Sequence, residues 1–133
     1  MAFTDEKQSF TINTTGEITG QQFPGKFTVR MKLAHRDNLR RVQFRRDLLG
    51  PGAPDASVEA NRIATVFSKI WIHLTEAPTW WKEASNGLDL VDEAPVSAVY
   101  DGILKLEREA FEALKKDAAG AKDELKTTVE KAA

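Results

Sequence analysis

The sequence predicts an α+β fold, in which an N-terminal β-hairpin packs on a small bundle of three to four helices and a charged C-terminal tail follows. Near the N-terminus, large apolar residues alternate with polar ones at the period of a half-buried strand: Phe27, Val29, Met31 and Leu33. Further along, apolar residues recur at helical spacing: Ile63, Val66, Phe67, Ile70, Trp71 and Leu74. Because 133 residues suffice for one modest core, we predict a single domain over residues 1–118 and a tail over residues 119–133.

A β-hairpin is predicted over residues 8–33, because two alternating segments flank a turn that contains Gly16 and Gly20. We expect Pro24 and Gly25 to interrupt the second strand as a bend or bulge. A lone hairpin is only marginally stable in water. This one is therefore expected to lie on the helices or to extend a sheet in another subunit.

Four helices are predicted after the hairpin, over residues 36–49, 58–75, 79–86 and 93–118. Gly50 followed by Pro51 should end the first helix, and Ser57 is placed to cap the second. Thr79 should cap the third helix and Asp92 the fourth.

The C-terminal tail is predicted from a loss of apolar residues. Pro95 is tolerated in the first turn of the last helix, whose apolar stripe fades before Gly120. Beyond that point Leu125 and Val129 are the only large apolar residues, too few to hold a docked helix. We therefore expect residues 119–133 to be flexible or partly helical.

Composition restricts the class of protein. The formal net charge is -1, but residues 1–66 carry +3 and residues 67–133 carry -4. The chain has no cysteine, which excludes disulfides and thiolate metal sites and agrees with a reducing compartment. It has no signal-peptide pattern and no apolar run of the roughly 18 residues that a membrane span needs. We expect a soluble intracellular protein without membrane contact.

Residues that carry chemistry are sparse. His35 and His73 are far apart, and metal-ligand spacings, phosphate-binding glycine loops and nucleophile motifs are missing from the sequence. Asp89 and Asp92 form a carboxylate pair, but capping and turn formation explain them better than acid–base catalysis does. The sequence therefore predicts a protein that is not an enzyme and that binds no cofactor and no metal.

A basic segment over residues 30–46 carries seven Lys or Arg residues and one Asp. Arg36 and Arg40 are i, i+4 neighbours on the predicted helix, as are Arg41 and Arg45, so two cationic rows are possible. Three interpretations stay open: a solvated helix face, a protein contact, or binding to nucleic-acid phosphates, with nucleic acid the least favoured of the three.

Trp80 and Trp81 are the most informative residues. Adjacent positions on a helix point about 100° apart, so one core face does not easily hold both rings. Both rings can still pack in the core at a corner between helices, or at least one can meet a neighbouring element or a partner. The sequence leaves these two alternatives open.

Taken in order, several segments resemble the small tail assembly chaperones of long-tailed bacteriophages. The resemblance covers residues 10–114 and includes FTINTTGEITGQQFPGKFTVRMKL, RRDLLG, APTWW, GLDLVDE and VYDGILKLEREAFEAL. Its most specific residues are Pro78, Trp80, Trp81, Gly87, Leu88, Leu90 and Asp92.

The resemblance implies a non-enzymatic protein of the host bacterial cytoplasm. Such a chaperone binds and solubilises the tape-measure protein and helps to recruit tail-tube subunits. A homo-oligomer is expected as well, because the basic first half and the acidic second half permit head-to-tail association. The resemblance also implies two sets of protein-binding residues: Trp80, Trp81, Leu88 and Leu90 as apolar contacts, and Arg40, Arg41, Arg45 and Arg46 as charged contacts. The alternatives are a permanent phage structural subunit of tail, connector or capsid, and a nucleic-acid-binding regulator that uses the helix Arg36–Arg46.

Overall fold

The structure is a computed structural model that describes residues 7–132, with side chains up to residue 119. Three antiparallel strands form one sheet in the order β1-β2-β3: β1 (Lys7–Thr15), β2 (Gln22–Arg30) and β3 (Leu74–Glu76). The described residues also form four α-helices: α1 (His35–Leu49), α2 (Val58–His73), α3 (Thr79–Glu83) and α4 (Ala94–Ala132). A 3₁₀ helix, Gly50–Asp55, links α1 to α2. The predicted α+β class is confirmed.

The hairpin is more regular than the sequence suggested. β1 and β2 pair in unbroken antiparallel register along both strands, so the predicted bend or bulge at Pro24 and Gly25 is wrong. β3 reaches β2 only at Thr28 and Val29, where the register shifts, so near Pro24 the outer side of β2 is an edge. A proline is tolerated there because its missing N–H removes no ladder bond.

The ends of two helices differ from the prediction. α2 ends at His73 and not at residue 75, because Leu74–Glu76 pairs with β2 as the third strand. α3 begins at Thr79, after an N-cap position occupied by Pro78, and ends at Glu83 and not at residue 86. Thr79 is therefore a helical residue and not the cap. Ser57 caps α2 as predicted, since its hydroxyl accepts from the Ala60 N–H at 3.1 Å.

α4 is longer than expected. It spans 39 residues to Ala132, about 58 Å at the rise of an α-helix, whereas the sequence predicted an end near residue 118. The last buried residue that the structure describes on α4 is Ala110. We predicted that residues 119–133 are flexible or partly helical. From residue 120 their side chains lie outside the described residues, so the flexibility stays a prediction.

The core lies between the sheet and the helices. Phe27 and Val29 of β2 face Val99 and Ile103 of α4, and all four are fully buried. Ile70 of α2 belongs to the same cluster. The apolar face of the sheet and the apolar faces of the helices thus pack together in one core, as a two-layer architecture requires.

Asp92 does not cap α4, contrary to the prediction. Its buried carboxylate instead accepts the N–H groups of Ile18 at 2.7 Å and Thr19 at 3.0 Å, together with the Thr19 hydroxyl. These donors belong to the turn between β1 and β2, more than 70 positions away. Asp92 therefore fixes the hairpin turn onto the start of α4.

Glu17, from the same turn, takes the capping role at α4. Its carboxylate accepts the backbone N–H groups of Glu93 and Ala94 at 2.5 and 3.0 Å. A carboxylate at a helix N-terminus satisfies otherwise unpaired N–H groups and favours the helix dipole. The carboxylate of Asp92, beside α4, thus binds the hairpin turn, and the carboxylate of Glu17, in the turn, binds the start of α4. Neither element can unfold without loss of hydrogen bonds to the other.

These hydrogen bonds to Asp92 and Glu17 predict a loss of stability in acid. The Thr19 hydroxyl, with two backbone N–H groups, lowers the pKa of Asp92, and backbone N–H groups lower the pKa of Glu17. A carboxyl with a lowered folded pKa stabilises the fold above its unfolded pKa, about 4, and that stabilisation disappears as the pH falls through the folded pKa. Urea unfolding at pH 7 and at pH values from about 5 to 3 should show the decline. In Asp92→Asn the decline should be shallower, and an unchanged slope would contradict the assignment.

Candidate protein-binding groove

An apolar groove runs along α2, between α1 and the turn that follows α3. One face of α2 and the first residue of β3 form its floor, with Ala60, Ile63, Ala64, Phe67, Ile70 and Trp71 from α2 and Leu74 from β3. Phe44 and Leu48 of α1 line one wall, and the polar Ser85 and Asn86 line the other together with Leu88. The groove consists of two cavities, of 330 and 360 Å³, and Leu88 borders both.

α1 is held on α2 by surface contacts. The Phe44 ring stacks on Trp71 with centroids 4.3 Å apart and an angle of 5° between the planes, and the Arg40 guanidinium lies 5.5 Å from the centre of the same indole. Arg45 donates to Asn61 at 2.8 Å and to Thr65 at 3.1 Å. α1 has no buried residue. Because α1 does not sink into the core, it forms one wall of the groove and leaves the cavities beside it open.

The wall that carries Leu88 depends on an unusual turn. Ser85, Asn86 and Gly87 have successive φ values of 51°, 55° and 90°. Asparagine and glycine are the residues that adopt this left-handed region most readily. The Ser85 hydroxyl donates to Asp89 at 2.7 Å, which closes the turn. This geometry presents Leu88 with 43 % of its surface exposed.

The two adjacent tryptophans have different environments. Trp81, which the resemblance assigned to partner contact, is fully buried in the folded chain and packs edge-on against Phe27 at 5.5 Å between centroids. Trp80 is half-buried on β2, where its ring lies 5.1 Å from that of Phe23 and its N–H donates to the Pro24 carbonyl at 2.7 Å. The two adjacent side chains, which leave the helix about 100° apart, therefore both find contacts inside the same chain.

Leu88 and Leu90, also predicted to contact a partner, are separated by the structure. Leu88 borders the groove, whereas Leu90 is half-buried and packs against the main core. Of the four apolar residues predicted to bind a partner, Leu88 therefore has the most exposed side chain. Contact of any of them with a partner stays a prediction.

The predicted arginines do not form one patch. Arg40 lies over Trp71 and Arg45 is hydrogen-bonded to α2, so both already stabilise the chain. Arg46 is exposed and Arg41 is half-buried. In residues 7–119, neither Arg41 nor Arg46 has a carboxylate within 4.0 Å.

Sequence reasoning missed most of the groove. Ile63 and Trp71 belong to the apolar stripe that predicts α2, and the structure leaves Ile63 42 % exposed and Trp71 half-buried under Phe44. The useful signal was the width of the apolar stripe on α2. Val66 and Trp71 lie about 140° apart around the helix, and part of a stripe of that width can meet a second surface.

Titratable side chains outside the groove have structural roles. His73 is buried, with Nδ1 2.7 Å from the Arg30 carbonyl and Nε2 3.5 Å from Glu107, and burial lowers its pKa. Lys69 pairs with the same Glu107 at 2.9 Å. Among the described residues, no group of three or more histidine, aspartate or glutamate side chains is placed to hold a metal ion.

No protein-family model, no curated protein and no solved structure matches the chain. Within the part of the chain that the structure describes, no helix is both long enough and apolar enough to span a membrane.

Proposed function

We propose that the protein is a non-enzymatic assembly chaperone that binds an apolar helical segment of another polypeptide in the groove. The observation that carries the proposal is an open groove with two exposed aliphatic side chains. Ile63 has 42 % of its surface exposed in the monomer, and Leu88 has 43 %. Exposed apolar surface of this kind is retained where a partner covers it.

The shape of the groove selects the kind of client. It follows α2 for several turns, because its floor residues recur at i, i+3 and i+7 from Ala60 to Leu74. A groove with such a floor accepts an amphipathic helix, which places its own i, i+3, i+4 and i+7 side chains along the floor. A binder that covers such a stripe keeps a long helical client from aggregating.

The sequence resemblance to tail assembly chaperones supports a particular client, the phage tape-measure protein, and a site of action in the host bacterial cytoplasm. Recruitment of tail-tube subunits belongs to the same proposal. The tape-measure protein is a long helical polypeptide with exposed apolar stripes, which is the chemistry that the groove fits.

Co-expression with the tape-measure protein of the same genome tests the proposal. Leu88→Asp places a charge between the two cavities, so the soluble fraction of the client should fall to near the level without chaperone. Val91→Asp is the matched control, because Val91 is 66 % exposed and does not line the groove. Equal client solubility with both variants would refute the groove as the client site.

A permanent structural subunit of the phage is the alternative that uses the same groove. A chaperone leaves before the tail is complete, whereas a subunit stays in fixed stoichiometry. Mass spectrometry of purified virions separates the two, and we expect the protein to be absent. The nucleic-acid alternative predicts retention on DNA that falls steeply between about 50 and 200 mM salt.

A further inference from the structure

We propose that two copies of the chain pair through the free edge of β1, so that their two three-stranded sheets join into one continuous sheet. The two β1 strands run antiparallel across a twofold axis at Thr11. The contact goes beyond the proposed function, because β1 contributes no residue to either cavity of the groove.

The hydrogen bonds of the hairpin decide which backbone groups of β1 point away from β2. The Gly16 N–H donates to the Gln21 carbonyl at 2.8 Å, directly beyond the end of the ladder. Hydrogen-bonded and non-hydrogen-bonded pairs alternate along an antiparallel ladder, so the even-numbered residues of β1 bond to β2. The N–H and C=O groups of the odd-numbered residues therefore point to the free edge: Lys7, Ser9, Thr11, Asn13 and Thr15.

The opposite edge of the hairpin agrees with this alternation. On β2 the even-numbered residues point away from β1, and Pro24, which has no N–H to donate, holds one of these positions. Side chains cover this edge: the Pro24 carbonyl accepts from the Trp80 N–H at 2.7 Å, and the Thr28 carbonyl accepts from the Thr75 hydroxyl at 3.0 Å. Within residues 7–119, by contrast, no hydrogen bond reaches the outward backbone groups of β1.

β1 lacks the features that keep a strand edge from pairing. It pairs with β2 over 9 residues without a bulge, it contains no proline, and its one charged residue, Lys7, is at its first position. Protected edges are typically short, bulged or charged, or are covered by another element. The edge of β1 is therefore long and regular enough to accept a full partner strand.

The sequence of β1 is chemically symmetric about Thr11, which identifies a second copy of β1 as the partner. When two antiparallel copies are centred there, each Ser9 lies opposite Asn13 of the other copy, and each Lys7 lies opposite Thr15. Every pair on this exposed face joins polar side chains, and like charges do not meet. A shift of two residues in either direction would leave one end of each strand unpaired, so the centred register uses the whole edge.

The inner face of the same register continues the core across the contact. Phe10 of each copy lies opposite Ile12 of the other. Phe10 is half-buried and stacks on Phe27 with ring centroids 5.7 Å apart, so its remaining exposed surface would be covered by the second copy. Pairs of aromatic and β-branched side chains on neighbouring strands stabilise a sheet.

The contact is isologous, because both copies contribute the same residues. An isologous contact closes with two copies, so association stops at the dimer. Both grooves stay open in this dimer, since the edge of β1 and the groove share no residue.

A charge exchange at Thr11 tests the register. Thr11 is exposed and lies opposite its own copy at the axis, so Thr11→Lys or Thr11→Glu alone brings like charges together. In analytical ultracentrifugation the unaltered chain should dimerise, and each variant alone should dimerise about 5-fold more weakly. An equimolar mixture of the two variants should form a heterodimer about 10-fold more tightly than either variant pairs with itself. A monomeric unaltered chain, an assembly that grows beyond a dimer, or a mixture that pairs no more tightly than its components would overturn the proposal.

A proline at the same position tests the backbone contact. Thr11 forms a non-hydrogen-bonded pair with Lys26, so Thr11→Pro removes the N–H that points to the second copy and no bond to β2. This variant should be monomeric, whereas the matched control Thr11→Ala keeps the N–H and should dimerise like the unaltered chain. Near-ultraviolet circular dichroism of the tryptophans verifies that each variant is folded. A folded Thr11→Pro chain that still dimerises would contradict the proposal, and the charge exchange decides the matter if that variant does not fold.

Amide hydrogen exchange followed by nuclear magnetic resonance locates the contact. The outward N–H groups of Ser9, Thr11 and Asn13 should exchange more slowly as protein concentration rises, whereas those of Phe10 and Ile12 should be protected at every concentration. A dimer in which the outward groups stay unprotected would place the contact elsewhere and refute the pairing of β1.

The same measurements distinguish this inference from the proposed function. Leu88→Asp, which blocks the groove, should dimerise like the unaltered chain. A monomeric chain that solubilises the client would refute the β1 contact alone. Dimerisation through β1 without client solubilisation would refute the chaperone function and leave the β1 contact standing.

Discussion

Replacement of Trp81 by alanine is expected to lower the free energy of unfolding by about 3–5 kcal/mol, one of the largest losses that a single substitution can cause in this chain. The indole is fully buried and packs edge-on against Phe27 and Trp80, with centroids 5.5 and 6.1 Å away. It also lines the cavity beside Leu88. Its removal leaves a void in the core that the rigid hairpin cannot fill.

Two control variants identify the cause of that loss. Trp80→Ala should cost about 1–3 kcal/mol, because Trp80 is half-buried and loses one hydrogen bond, to Pro24, with part of its apolar contact. Trp81→Phe should cost less than Trp81→Ala, since a ring still fills most of the space. Trp81→Phe also removes no hydrogen bond, because the Trp81 N–H has no hydrogen-bond partner among the described residues.

Urea unfolding followed by far-ultraviolet circular dichroism measures all three variants. We expect Trp81→Ala to be the least stable of the three variants, with a lower free energy of unfolding than either Trp81→Phe or Trp80→Ala. If Trp80→Ala were the more damaging change, the assignment of Trp81 to the core would be wrong.

Local signals were sufficient for most of the fold. The alternation at Phe27 and Val29 placed β2, and the i, i+3, i+4 spacing placed α2. Ser57 was found from its position before the helix, because a cap acts through a donor three residues away. Elements set by their own period or by neighbours in sequence are therefore visible before the structure is known.

Distant partners account for the errors. Leu74 continues the helical pattern of α2 but pairs with Val29, 45 positions earlier, and this pairing outweighs the local preference. Asp92 has the residue type and position of a helix cap, yet its donors lie in the turn at Ile18 and Thr19. No local pattern distinguishes a carboxylate that caps its own helix from one that holds a remote turn.

The candidate site was predicted only in part. Leu88 was identified because it follows the two tryptophans, and it borders the groove. The walls of the groove were not predicted, because they depend on how far α1 stands from the core. The contact of Phe44 with Trp71 holds α1 at that distance, and such a stacking between helices leaves no periodic trace in the sequence.

Gly87→Ala is expected to lower the free energy of unfolding by about 2–4 kcal/mol, through two separate effects. Gly87 has φ of 90°, where a side chain adds about 1 kcal/mol or more of backbone strain. A Cβ there would also lie 2.5 Å from Cη2 of Trp81, and such overpacking costs about 1–3 kcal/mol. The indole is fully buried and packs against Phe27 and Trp80, so it does not shift without disturbing those rings.

Gly20→Ala separates these two effects. Gly20 has φ of 73°, so alanine there meets backbone strain of the same kind, but a Cβ at Gly20 would have no other atom within 4 Å. The excess cost of Gly87→Ala over Gly20→Ala, measured by urea unfolding, is therefore the cost of the contact with Trp81. That excess should shrink when both glycine variants are compared in a Trp81→Phe background, because the smaller ring withdraws from the turn. Equal costs for the two glycines in the unaltered background would mean that the turn before Leu88 does not rest on the buried indole, and the groove wall would then lack the support that holds it in place.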